Sequence, residues 1–224
     1  MSVFEYCFLF LSVILGGGLA FFIHESQKIR LDLILSFSGA YILGITVLHL
    51  MPGIFSNPQN SIWLWVLGGF VIQLTLEQFS QGVEHGHIHA HTNAPFSFAL
   101  AIMIGLCLHA FIEGLPLSVY SEFHQHRHGG THSHNHLYYG VILHKAPAAF
   151  VLVLVLLRSN FNKTVIGIML IIFAGMSPIG AWLTTAVNID IGHVDKILGL
   201  VVGSFLHIST TILFEADDTK EHQI

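Results

Sequence analysis

His109 and Glu113 are the first residues whose types and spacing suggest chemistry. They stand four apart inside an apolar run, and that spacing puts both on one helix face. An imidazole nitrogen and a carboxylate oxygen are both good zinc ligands. A second apolar run carries His144, followed by Lys145 and Pro147. Pro116 follows Glu113, and its ring is expected to disrupt the bond to the Ile112 carbonyl; Pro147 is expected to free the Leu143 carbonyl in the same way. Each run therefore has a histidine near its middle and a proline within a turn or two. Kinks at membrane depth are tolerated where a cavity or a partner satisfies the freed carbonyl. If the two helices face each other, His109, Glu113 and His144 make a mid-membrane site of three ligands, with coordination positions left open for exchange. A single buried histidine reads equally well as a hydrogen-bonded core residue; the three together favour a metal.

The elements that must position these residues follow from composition. The chain has 224 residues, 53% hydrophobic and 9% charged, against about 25% charged in an ordinary soluble domain. The bilayer is the natural solvent for so apolar a chain. Seven apolar runs, at 3–23, 31–55, 62–79, 95–120, 137–157, 164–187 and 194–214, are long enough to span it. Their continuity excludes the alternating pattern of a barrel. The expectation is an all-α integral membrane protein, one bundle of about seven transmembrane helices forming a single domain over 1–224. Placing the N-terminus outside puts Lys28, Arg30, Arg158, Lys163 and Lys220 on the cytoplasmic side, with only Arg127 and Lys196 outside. The expected location is the cell (inner) membrane. The net charge of −5 carries no basic stripe, so no nucleic acid is expected as a partner. Cys7 and Cys107 both lie in apolar runs and do not suggest a disulfide framework.

Seventeen histidines against eight lysines and arginines ask for a chemical reason. Many fall in two low-complexity loops. Loop 84–94 carries His85, His87, His89 and His91 and is expected in the cytoplasm. Loop 121–137 carries His124, His126, His128, His132, His134 and His136 and is expected outside. Both suit weak metal capture, though a plain flexible linker explains them nearly as well. Within the spans, His49 and His207 could extend a polar pathway or cap a helix contact. Glu77 near the end of the third run could snorkel to water, and Lys145 could simply neutralise Glu113 or Glu77. A short internal similarity, Gly39-Ala40-Tyr41-Ile42 against Gly203-Ser204-Phe205-Leu206, fits either an inverted repeat or chance.

In helix order and loop placement the chain resembles the ZIP family of metal transporters. The fourth run reads His109-Ala110-Phe111-Ile112-Glu113-Gly114, where the family has His-Asn-x-x-Glu/Asp-Gly. The fifth reads His144-Lys145-Ala146-Pro147-Ala148, where the family has His-Glu-x-Pro-x. Leu48-His49-Leu50-Met51-Pro52 is close to its His-Leu-Leu-Pro, and Ser177-Pro178-Ile179-Gly180-Ala181 to its Glu-Pro-Leu-Gly-Ala. The resemblance implies transport of zinc, iron, manganese or cadmium toward the cytoplasm, through a site that is often binuclear. His109, Glu113 and His144 match first-metal ligands. Ala110, Lys145, Ala148 and Ser177 stand where second-metal ligands would be, and a Lys145 ammonium there would repel a second cation. The family has eight spans; the eighth is either lost here or lies beyond the given sequence.

The expected function is therefore transport of a divalent transition metal, Zn2+ first and Fe2+, Mn2+ or Cd2+ next, as substrate. No organic cofactor is called for, and no enzyme activity. The expected partners are metal ions, the lipid bilayer and a second copy of the chain. The rival is a seven-helix intramembrane zinc hydrolase, with a metal-bound water as nucleophile and Lys145 stabilising an oxyanion. A chain that binds metal only to sense it is a third reading.

Overall fold

The computed structural model describes residues 1–22, 31–56, 61–85, 94–120, 136–187 and 191–221. Among them the chain is helical, with no strand. Seven helices follow the seven apolar runs: α1 (Val3–Leu19), α2 (Leu31–Ile45), α3 (Ile62–Ser80), α4 (Phe96–Gly114), α5 (His136–Arg158), α6 (Lys163–Ala186) and α7 (Ile191–Glu221). The α2 span continues through a π-helical turn, Thr46–Leu50, and one α-helical turn, Met51–Phe55. Six of the helices are long and apolar enough to cross a membrane; α1, at 17 residues, is apolar but shorter.

Local chemistry sets several ends. Ser2 caps α1 by accepting from the Glu5 amide, while the Glu5 carboxylate accepts from the Ser2 amide at 2.6 Å, a reciprocal capping box. The Asn162 side chain caps α6 through the Thr164 amide. The α4 helix does not run on through Pro116 to Tyr120 as expected; it ends at Gly114. Proline has no amide to continue the ladder, so the chain tightens instead into short bonds, Leu117 N to Gly114 O and Val119 N to Pro116 O. Glu113 therefore lies in the last turn of α4 rather than in mid-helix. Pro147 and Pro178, by contrast, are carried inside α5 and α6. At the other extreme α7 runs 31 residues, about 46 Å at the usual helical rise, past the expected end at residue 214.

The helices pair in a closed order, α1 with α5, α5 with α2, α2 with α7, α7 with α3, α3 with α4, α4 with α6, and α6 with α1. The most deeply buried span, α5, also touches α6 and the short turn Val83–His85. Large apolar side chains such as Phe4, Trp63, Ile171 and Trp182 are exposed on the outside, a surface suited to lipid rather than water.

With lipid outside, close packing rather than hydrophobic expulsion must hold the helices together, and small residues let backbones approach. The α3–α7 crossing shows this. A Cβ on Gly203 would collide with the Val66 carbonyl oxygen, and one on Gly69 with the Leu200 carbonyl. Backbone cannot step aside as a side chain can. Gly203→Val is expected to destabilise the bundle by more than the about 1–3 kcal/mol typical of overpacking. A lower melting temperature and a loss of monodisperse protein in detergent would report it; a wild-type melt would contradict the crossing.

Candidate metal centre

Two helices bring three donors together. His109 and Glu113 come from α4 and His144 from α5, all three buried, with one ligand atom of each lying within 4.8 Å of the others. The two imidazoles meet edge to face, ring centroids 5.9 Å apart. His109 Nε2 lies 3.0 Å from Glu113 Oε1. Neither ring nitrogen of His144 has a hydrogen-bond partner among the described residues. A buried imidazole with two unused nitrogens is costly unless something else uses one of them. The α4 C-terminus adds its own negative end of the helix dipole beside Glu113, which favours a cation there.

Lys145 supplies a cation from the protein itself. Its Nζ is buried 2.7 Å from Glu113 Oε2 and 5.4 Å from the Phe173 ring centroid. Glu113 thus faces His109 with one oxygen and Lys145 with the other. Lys145 pairs with Glu113 and not with Glu77.

The positions that would hold a second metal are committed to helix packing. Ala110 and Ala148 are buried and offer no side-chain donor. The Ser177 hydroxyl donates to the Ala110 carbonyl at 2.8 Å, tying α6 to α4. One step along the same crossing, Thr184 donates to the Leu115 carbonyl at 2.7 Å, an acceptor whose usual partner, the Val119 amide, bonds Pro116 O past the helix end.

Behind His109 lies a polar layer that patterning alone did not single out. Gln73 on α3, Ser204 on α7 and Glu84 in the Val83–His85 turn are all buried. Gln73 Oε1 is 2.9 Å from His109 Nδ1 and accepts from the Ser204 hydroxyl at 3.0 Å, while Gln73 Nε2 donates to Glu84 Oε1 at 2.9 Å. The α3 C-terminus makes this possible. Gln81 and Gly82 both adopt left-handed backbone, φ 54° and 71°, and turn the chain back so that Glu84 and His85 point inward.

One helical turn further along lies a second layer. Glu77 follows Gln73 by four residues and His207 follows Ser204 by three, so each keeps the face of its predecessor. Glu77 is clasped by His207 Nε2 and by His85 Nδ1, the latter at 3.4 Å. It is therefore held by two imidazoles rather than reaching for water. His85 is buried in the turn.

At the opposite end of the bundle His49, in the π-helical turn, lies 4.8 Å ring to ring from His136 at the start of α5. Local π-helix is often found at functional positions. His87, His89, His91, His124, His126, His128, His132 and His134 lie outside the described residues.

Comparison with known proteins points the same way as the helices and the ligand set. The model of the ZIP zinc transporter family matches residues 84–223. The chain is 28% identical to zinc transporter ZIP9 of Xenopus tropicalis over 129 residues, 58% of this chain and 41% of that protein. It is 27% identical to zinc transporter ZIP9 of Micropogonias undulatus over 151 residues, 63% of this chain and 47% of that one. A shorter match, 34% over 80 residues, is to zinc transporter SLC39A7 of Rattus norvegicus, covering 27% of this chain and 17% of the relative. The chain spans less than half the length of these relatives. No solved structure gives a significant match. With well over half of its residues covered by the family model, and with apolar helices long enough to cross a bilayer, the chain belongs to the ZIP zinc transporter family and is an integral membrane protein.

Proposed function

We propose that this chain carries a divalent transition metal, zinc first, across the membrane toward the cytoplasm, binding one ion at a time on His109, Glu113 and His144. The observation that carries the reading is the unused pair of nitrogens on His144, buried within ligand distance of a second imidazole and a carboxylate. Three protein ligands leave open coordination positions, which suits an ion that must enter and leave. Relatives named as zinc transporters support zinc as the substrate, and a family of transporters does not favour the hydrolase alternative. The engagement of Lys145 by Glu113 argues the same way, since an oxyanion donor should be free to meet its substrate.

The polar residues give the metal a route. The outer histidine loop and the His49–His136 pair gather it; the central site holds it; Glu77, His85 and His207 receive it on the inner side. The distribution of basic residues supports an N-terminus outside, which puts Glu77, His85 and His207 toward the cytoplasm; the direction of transport follows from the family resemblance. The two ligand-bearing helices, α4 and α5, are not consecutive in the packing order, so a rigid shift of one group of helices against the other opens and closes the site.

Zinc flux into liposomes containing the purified protein tests the reading. The expected result is zinc entry well above that into empty liposomes, with iron, manganese and cadmium slower. Zinc binding without flux would replace transport by sensing.

A further inference from the structure

The polar layer behind His109 does more than fill space. Followed from its far end, each contact dictates the next. Gln73 turns its amide nitrogen toward Glu84 and donates to it, the orientation that an ionised carboxylate at 84 requires. That leaves Gln73 Oε1 facing His109, with the Ser204 hydroxyl donating to the same oxygen. An oxygen accepts, so His109 Nδ1 must carry a proton. The nitrogen left with its lone pair for a metal is then Nε2, 3.0 Å from Glu113 Oε1.

We propose that Glu84, Gln73 and Ser204 form a positioning relay that locks His109 in the tautomer whose Nε2 binds the metal, so that the first turn of the inner histidine segment governs metal affinity at the centre of the membrane. None of the three touches the ion. The relay rests on the assignment of His109 as a ligand. It also differs in kind from the support of His144, whose ring makes no hydrogen bond among the described residues. One ligand is held and aimed by hydrogen bonds; the other is held by packing alone, and it comes from a different helix. The hydrogen-bonded half of the site belongs with α3, α4 and α7, and the packed half with α5.

Partners of this kind are worth about 10–100-fold in metal affinity. The relay predicts a pattern that packing alone does not. Gln73→Met keeps the shape and removes the acceptor. Zinc affinity, measured by calorimetry on the full chain with His87, His89, His91, His124, His126, His128, His132 and His134 changed to serine, should fall by about 10–100-fold; the metal-free protein should also melt lower, because Glu84, Ser204 and His109 each lose a buried partner. Exchanging the two partners, Gln73→Glu with Glu84→Gln, should restore affinity, because a carboxylate at 73 still accepts from His109 and an amide at 84 can now donate. Should Gln73→Met fail to fold, Glu84→Ala carries the same expectation. It leaves the Gln73 amide free to flip, and a several-fold loss of affinity should follow although residue 84 is out of reach of the metal.

Wild-type affinity in Gln73→Met, or in Glu84→Ala where that variant stands in for it, would overturn the relay. So would an exchange variant as weak as Gln73→Met. A control separates this failure from that of the site itself. If His109→Ala leaves zinc binding unchanged, His109 is not a ligand; if it abolishes binding while the Gln73 and Glu84 variants do nothing, the ligand stands and the relay falls.

Discussion

Replacing His144 by alanine is expected to bring zinc uptake down to that of empty liposomes while the folded protein still accumulates in the membrane. This variant is the cleanest probe of the centre, because the ring makes no hydrogen bond that its removal would break. The cost to folding is a cavity on α5, and the α5 core of Ala149, Val151, Leu152, Val153, Val155 and Leu156 lies further along the helix and is untouched. His109→Ala should be as inactive but slightly less stable, since it also removes one of the two donors to the Gln73 carbonyl oxygen. Glu113→Ala should be inactive too, but it leaves Lys145 buried without its carboxylate, so its failure mixes lost binding with lost stability. Uptake at wild-type rate in His144→Ala and His109→Ala would remove the proposed centre altogether.

The second large effect is expected at Lys145. Lys145 and an incoming metal compete for one carboxylate, Glu113. Metal must displace the ammonium from Glu113. Its imidazole ligands must also be unprotonated to bind, so affinity should fall as pH is lowered from neutral to mildly acidic. Lys145→Met removes the competitor. It also strands a buried carboxylate, a change that typically costs about 3–5 kcal/mol. The metal-free variant should therefore melt well below the wild type, and zinc at a hundredfold excess over its dissociation constant should return about 2.7 kcal/mol of that loss. One ion should bind, more tightly than in the wild type. Lys145→Glu, placing a second carboxylate beside Glu113, should admit a second ion. Calorimetric counts with the loop histidines changed to serine decide the matter. Two tightly held ions with Lys145 intact, or a single one in Lys145→Glu, would refute it.

The spans were legible because their apolar runs are continuous and of bilayer length, a signal that survives ignorance of tertiary contacts. The helix face shared by His109 and Glu113 was legible from their spacing, and the need of Lys145 for a carboxylate from the cost of burying a lone charge, although only the packing chose Glu113 over Glu77. The end of α4 was not. Pro116 reads equally as a kink or a stop; the stop leaves the Leu115 carbonyl to be satisfied by Thr184, on another helix and 69 residues away. Glu84 and His85 were hidden for a different reason. They open a run of alternating histidines, and nothing in that composition distinguishes the two residues that the left-handed turn at Gln81 and Gly82 folds inward. Gln73 joins His109 across 36 residues, a separation at which no local pattern exists.

The Ser177–Ala110 hydrogen bond makes positions 177 and 145 unequal as places to add an acidic group. At 177 the hydroxyl ties α6 to α4, and the Ser177 carbonyl oxygen fills the space a Cβ on Gly114 would need. A glutamate there gives up that tie and needs new room at the crossing. At 145 it replaces a long side chain that already occupies the interior beside Glu113. Of the two positions, 145 is the one at which charge can be exchanged without rebuilding the contact between helices.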